Sequence, residues 1–201
     1  MENESFDYQQ IDNTFRPKIL RYLTHMVGEF EAEDLTQEVF IRIISNLSTF
    51  RGESRLSTWI YRIATNVAMD ALRRPFHRQK IHFIDHRETG SSVEKHIELR
   101  EKAPSAELRL IRKQMNTCIR GYIYGLPENY RTVLVLSDLE GLNVSDIAAV
   151  LGVSLHTAKI RLHRARVKLK KELETHCNFY RDEQNELACD LKTAMEQLKS
   201  S

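Results

Sequence analysis

Apolar residues recur at spacings of three and four along most of this chain, the repeat that turns one face of a helix toward a core. Over residues 11–27, Ile11, Phe15, Ile19, Tyr22, Leu23 and Met26 share a face, and Gly28 breaks the pattern. Pro17 is expected near the first turn, where a missing N–H costs little. A second helix is expected over 31–47, with Leu35, Val39, Phe40, Ile43, Ile44 and Leu47 as a wide apolar stripe. Its leading acids, Glu31, Glu33 and Asp34, suit the positive end of a helix dipole. Asp34, Gln37, Glu38 and Arg42 lie off the stripe and remain available to a partner. The polar turn 50–57 leads to a third helix over 58–74, capped by Ser57 or Thr58, filled by Trp59, Ile60, Ile63, Ala64, Val67, Ala68 and Leu72, and stopped by Pro75. Three helices sharing one core make a first domain over 11–80, after a polar tail at 1–10.

The pattern lapses over 81–104, where Gly90, Ser91 and Ser92 stand among mixed charges, as in a flexible linker. It resumes after Ser105, a good cap, with Leu108, Ile111, Met115, Ile119 and Ile123 at helical spacing. Another helix starts at 126–129 with Val133, Leu134 and Leu136 on its apolar side, and 139–142 turn the chain. In 143–171, Val144, Ile147, Ala148 and Leu151 form one short apolar face, with Ser145 or Asn143 to cap it and Gly152 to end it at positive φ. Ser154 can cap a second helix whose Ala158, Leu162, Ala165 and Leu169 make a narrow stripe. Helix, tight turn and helix in this form are the helix-turn-helix, whose second helix enters the major groove of DNA. The fold class expected is therefore all-α: two small helical domains, the second over 105–174, with a C-terminal tail at 175–201.

Charge sharpens the picture. The net charge of +2 hides segregation, with acids gathered near 29–38 and bases near 73–80 and 159–171. The second helix of the helix-turn-helix carries Lys159, Arg161, Arg164, Arg166, Lys168, Lys170 and Lys171, with no acid from 154 to 171. Such density is rewarded by phosphates, because each one neutralised releases condensed counterions. Its N-terminal half, with Ser154, His156, Thr157, Lys159 and Arg161, offers groups that reach base edges; its C-terminal half offers mostly charge for the backbone. With only seven glycines and four prolines the chain leans to helix, and 41% hydrophobic residues suffice for modest cores. No run reaches the length of a membrane span and no signal peptide opens the chain, so membrane insertion is not expected.

Cys118, Cys177 and Cys189 form no disulfide framework, which points to a reducing cytoplasm. No GxGxxG, GxxxxGK[ST], HExxH or GxSxG motif occurs, so neither an enzyme nor a cofactor is expected. His77, His82, His86 and His96 are scattered through the linker region and are read as polar rather than as metal ligands. In the tail, His176, Cys177 and Cys189 are weak candidates for a metal or redox site, short of the four ligands a structural zinc needs; no metal is expected. Residues 191–198 are read as helical.

DLTQEVFIRI at 34–43, followed by FRGESRLSTWIYRIATNVAMDALRR at 50–74, resembles region two of bacterial sigma factors, and 126–170 resembles region four. The spacing, with no intact region three between them, is that of the extracytoplasmic-function (ECF) sigma factors of the sigma-70 family. The resemblance implies a sigma factor that joins core RNA polymerase and directs promoter-specific initiation. It implies that Asp34, Gln37, Glu38 and Arg42 dock on the β′ clamp helices, and that the β flap of the polymerase is a further contact. It also implies that Arg51, Ser54, Arg55, Arg62, Asn66 and Asp70 recognise and melt the minus-ten element, the turn 52–57 capturing a flipped base. Asp70 accepts from a base amino group or pairs with Arg73 or Arg74, and Trp59 is read as core in preference to a stacking platform. Ser154, His156, Thr157, Lys159, Arg161 and Arg164 are expected to read the minus-thirty-five element and its phosphates, with Ile160 departing from the small or polar residue common there. Promoter DNA and an anti-sigma factor are the other implied partners. The alternative is a stand-alone helix-turn-helix regulator, which would bind DNA without polymerase and as a dimer on paired half-sites.

Overall fold

The computed structural model describes residues 8–74, 106–181, 185 and 187–192. Among the described residues seven α-helices run in order: α1 (Tyr8–Val27), α2 (Glu29–Asn46), α3 (Leu56–Arg73), α4 (Ala106–Tyr124), α5 (Glu128–Leu134), α6 (Val144–Leu151) and α7 (Leu155–His176). A two-stranded antiparallel hairpin, β1 (Cys177–Arg181) and β2 (Leu187–Leu191), follows. The described residues form two compact units, one of 8–74 with 126–166 and the other of 106–125 with 167–192. The linker at 81–104 and its histidines lie outside the described residues.

In the first unit α1, α2 and α3 pack pairwise around Ile19, Tyr22, Leu23, Met26, Val39, Phe40, Ile43, Ile60, Ala64 and Leu72, all essentially without solvent contact. Removing each such Leu, Ile or Phe from water contributes roughly 1.5–3 kcal/mol. Tyr22 brings a hydroxyl into that core and satisfies it on Thr65 Oγ1 at 2.9 Å, while its ring meets Tyr61 edge to face. Pro17 departs from expectation: α1 begins at Tyr8, so Pro17 lies inside the helix. The bond it cannot make would go to the carbonyl of Asn13, and both residues are exposed, so water takes the orphaned acceptor. The start of α3 differs too. It begins at Leu56 with Arg55 in the cap position, and no side chain caps it, neither Ser57 nor Thr58.

The segment α5 to α7 joins the same unit. Arg131 on α5 is buried, donating from Nη1 to the Met26 carbonyl at 2.6 Å and from Nη2 to the Leu126 carbonyl at 3.2 Å. Met26 belongs to the last turn of α1, whose carbonyls have no partner within the helix, so the guanidinium satisfies and charge-matches that end. After α5 a π-helical turn, Val135–Leu139, runs to Gly141, whose φ of 71° is open to glycine without strain. α6 then packs on α3.

In the second unit β2 packs on α4. The hairpin register pairs Cys177 with Leu191, Phe179 with Cys189 and Arg181 with Leu187. A strand thus occupies Leu191, where a helix was expected to begin, and 193–198 lie outside the described residues.

Candidate DNA and polymerase interfaces

The helix-turn-helix forms as its residues dictate. Asn143 Oδ1 accepts the Asp146 N–H at 2.9 Å and caps α6. Gly152 ends that helix in the left-handed region at φ 63°. Ser154 Oγ accepts the Thr157 N–H at 3.1 Å and meets the Thr157 hydroxyl at 2.8 Å, capping α7. Ala158, Leu162 and Ala165 turn inward, leaving Ser154, His156, Lys159 and Arg164 exposed and Thr157 and Arg161 half-buried. Ser154 and Thr157 are thereby partly spent on the cap. Ile160 is 37% exposed and sits among these polar groups as an apolar contact. Arg166, one of the basic set, is committed elsewhere: it holds Asp138 through Nε at 3.0 Å and Nη2 at 2.5 Å. Burial pushes the Asp138 carboxyl up, but hydrogen bonds from Arg166 and Ser137 and the Arg166 charge outweigh it and hold it below the ordinary range.

The candidates on α3 and the turn before it fall into two groups. Arg51 and Ser54 lie in the polar turn, Arg51 exposed and Ser54 half-buried. Arg55 and Arg62 reach α6 instead. Arg62 donates to the Ala149 carbonyl from Nη2 at 2.6 Å and Nε at 3.1 Å, and Arg55 lies 3.7 Å from Asp146. Asn66 and Asp70 line a cleft together with Arg42, Arg73, Asn129 and Arg161. Candidates for two separate interfaces, Asn66 and Asp70 on α3 and Arg161 on α7, are therefore gathered around one opening. Asp70 is 4.0 Å from Arg73, a loose pairing. Trp59 is half-buried with its ring tilted against Phe50 at 5.3 Å, between the two roles weighed for it.

On α2, Asp34 and Gln37 are exposed, and Glu38 accepts from Arg42 at 2.6 Å across one turn. Ile44, expected in the core stripe, is 53% exposed, beside Ile41 at 63% and Phe30 at 88%. Positions 30, 34, 37, 41 and 44 repeat at three and four, so α2 carries a second, mixed face that the wide stripe concealed. Large apolar side chains interleaved with carboxylate and amide are what a protein-docking surface presents.

A carboxylate that sequence reasoning passed over organises the unit. The Glu140 side chain has no solvent exposure and takes Arg21 Nε at 3.0 Å, Arg21 Nη2 at 2.7 Å and the Tyr61 hydroxyl at 2.8 Å. Burial, and then the Glu140 charge, push the Tyr61 phenol far above its usual range, so it stays protonated and donates. Only its place in the turn 139–142 hinted at Glu140; its partners are 79 and 119 residues away.

His176 stacks on Tyr122 with ring centroids 5.6 Å apart and lies 3.8 Å from Glu172. Among the described residues no group of three or more His, Cys, Asp or Glu could hold a metal ion, so His176, Cys177 and Cys189 are not assembled as ligands. No helix among the described residues is long and apolar enough to cross a membrane.

Comparison with known proteins adds two family matches in the same order along the chain, sigma-70 region 2 over residues 12–75 and sigma-70 region 4 over 117–169. The ECF RNA polymerase sigma factor SigW of Bacillus subtilis is 31% identical over 168 residues, covering 83% of this chain and 88% of its own length. The RNA polymerase sigma-H factor of Pseudomonas aeruginosa is 34% identical, covering 80% of this chain and 82% of its own. Among solved structures, the sigma factor RpoE of Bartonella quintana, bound to the anti-sigma factor NepR, superposes with a TM-score of 0.59 at 21% identity over 84% of this chain and 97% of that one. CnrH in complex with the cytosolic domain of CnrY gives 0.57 at 20% identity, covering 83% and 87%.

Proposed function

The chain belongs to the ECF sigma factors of the sigma-70 family, and from that premise we propose how its residues divide the work of starting transcription. The protein is a sigma factor that joins core RNA polymerase and directs it to promoters. Its work is binding and distortion of DNA, with no bond of the substrate made or broken by the chain itself. Residues 11–80 hold the polymerase and the minus-ten element, 81–104 connect, and 105–174 hold the minus-thirty-five element and the β flap. The protein works in the cytoplasm, beside the polymerase and the chromosome.

The observation that carries this reading is the pairing of a capped, basic recognition helix with a mixed apolar and acidic face on α2, in one chain and in the family's order. On α2, Phe30, Ile41 and Ile44 supply the apolar anchor, and Asp34, Gln37 and Glu38, with its Arg42 partner, the polar rim for the β′ clamp helices. On α7, His156, Lys159, Arg161 and Arg164 supply base-edge and phosphate contacts, with the two hydroxyls of Ser154 and Thr157 beside them. Arg51, Ser54, Arg55, Arg62, Asn66 and Asp70 supply the cationic, hydrogen-bonding surface that compensates an unstacked base.

The contacts of Arg62 and Arg55 with α6 add a step. Both arginines are engaged by the very segment that reads the upstream element, so promoter binding must release them. Polymerase favours release by holding α2 and α7 at separate places. An anti-sigma factor, of the kind seen with the structural neighbours, favours the closed form; each partner shifts the balance only by its differential affinity.

The test is transcription reconstituted from purified core polymerase on promoter templates. Transcripts that appear only with the protein and vanish with Asp34→Lys plus Glu38→Lys are the expected result. Sequence-specific DNA binding by the protein alone, with no transcription gained from core, would replace this reading by that of a stand-alone regulator.

A further inference from the structure

On α7 the buried stripe of Ala158, Leu162 and Ala165 fixes which way the other side chains point. At about 100° per residue, Ile160 lies nearly opposite that stripe, at the centre of the face turned away from the core. His156 and Arg164, one turn before and one turn after, share that face and are exposed. Lys159 and Arg161 flank it on either side. Ile160 is thus an apolar side chain, 37% exposed, set in the middle of a basic and polar surface. The core does not require it, because the buried stripe is complete without it. Exposed helical positions also favour alanine or straight-chain residues over β-branched ones. A solitary apolar residue on a surface is ordinary. This one stands on the N-terminal half of the helix, where the motif meets base edges.

We propose that Ile160 is a specificity-determining residue that reads one thymine of the upstream promoter element through its C5-methyl group. The inference rests on the reading of α7 as the minus-thirty-five recognition helix. In the major groove guanine, adenine and cytosine present hydrogen-bond donors and acceptors, whereas thymine adds a methyl group. Isoleucine has no donor or acceptor. Against a polar base edge it would strip water and return no hydrogen bond. Against a methyl it takes apolar surface of both partners out of water. Its β-branch keeps χ1 stiff, so little rotamer freedom is lost on contact.

The surrounding charge sets the division of labour. Lys159 and Arg161, on the two flanks, suit the phosphates that border the groove, and no acid from 154 to 171 opposes them. Charge supplies affinity for any sequence, and Ile160 supplies preference at one base pair. Val167 shares the outward face at 54% exposure but comes seven residues later, past the turns that contact base edges. It is the matched control.

The experiment begins with core polymerase and the full-length protein transcribing templates randomised in the upstream element, which yields the preferred element. Each thymine in it, on either strand, is then replaced singly by deoxyuridine, and holoenzyme affinity is measured. Removing one methyl from apolar contact is expected to weaken binding about three- to fivefold at a single position. Ile160→Ala should abolish that loss there and leave the other thymines as they were, and Val167→Ala should change neither. At the same position 5-methylcytosine should bind the wild type better than cytosine, with no difference for Ile160→Ala. Equal deoxyuridine penalties in wild type and Ile160→Ala at every thymine would overturn the inference. So would a preferred element without thymine on either strand, or an Ile160→Ala variant that weakens all sequences alike. Failure to obtain any promoter-specific transcript would instead overturn the sigma-factor reading beneath it. Circular dichroism of each variant confirms that it is folded.

Discussion

At the scale of single residues, Glu140 decides more than its neighbours. A carboxylate without solvent contact must be paired, and here Arg21 and Tyr61 supply three hydrogen bonds to its two oxygens. Glu140→Ala leaves a buried phenol hydroxyl without its acceptor, so a loss of about 2–3 kcal/mol in urea unfolding is expected. Tyr22 sets a second expectation. Burial raises its phenol well above the ordinary value of 10.0, because a phenolate cannot enter the core. A raised folded pKa means that its stabilising effect is intact below pH about 10 and is lost as pH climbs above it. Thermal melts from pH 8 upward should therefore fall steeply past about 10. Tyr22→Phe should flatten that fall while costing about 1 kcal/mol at neutral pH, through the lost Thr65 contact.

At the scale of elements, α7 makes the sharpest forecast. Lys159 and Arg164 are exposed and, among the described residues, their side chains take part in no hydrogen bond or ion pair, so each is available to one phosphate. Lys159→Ala or Arg164→Ala should weaken binding of the holoenzyme to all promoters alike and reduce the salt slope by about 1 each, read from affinity between low and moderate salt. An unchanged slope would assign these residues to solvent. This helix was legible in the sequence because its determinants are local: Asn143, Gly152 and Ser154 act on groups within a few residues of themselves. Elements whose outcome depends on distant partners were not. Ile44 satisfies the period of the core stripe, yet the packing of α2 against α1 and α3 leaves it outside. Pro17 was misplaced because the residues from Ile11 to Arg16 already make more than one turn before it, and α1 begins earlier still, with the polar Tyr8, Gln9 and Gln10. The strands at the end are five residues each, too short for alternation to register, and are fixed by cross-strand pairing and by contact with α4.

At the scale of the first compact unit, the family resemblance named the two working surfaces but not their contact, because Arg62 and Ala149 are 87 residues apart and neither carries a signal for the other. That contact gives Arg62 two roles of opposite sign. In the closed unit it ties α3 to α6 through a double donation to one carbonyl, and Arg161 of the recognition helix faces the cleft beside Asn66 and Asp70. On the promoter it is proposed to serve the minus-ten strand instead. Arg62→Ala should therefore do two things at once. It removes about 1–1.5 kcal/mol from the closed form, the net value of such a bond. If closure limits access to α7, the free protein should then bind a duplex bearing the minus-thirty-five element some five- to tenfold more tightly. The holoenzyme should meanwhile melt the minus-ten element less well, seen as weaker permanganate reactivity of its thymines. A purely structural arginine would move neither readout once the variant is folded, and a purely DNA-contacting one would move only the second. Opposite movement in the two assays is the signature of a residue that holds the protein shut until the promoter takes it over.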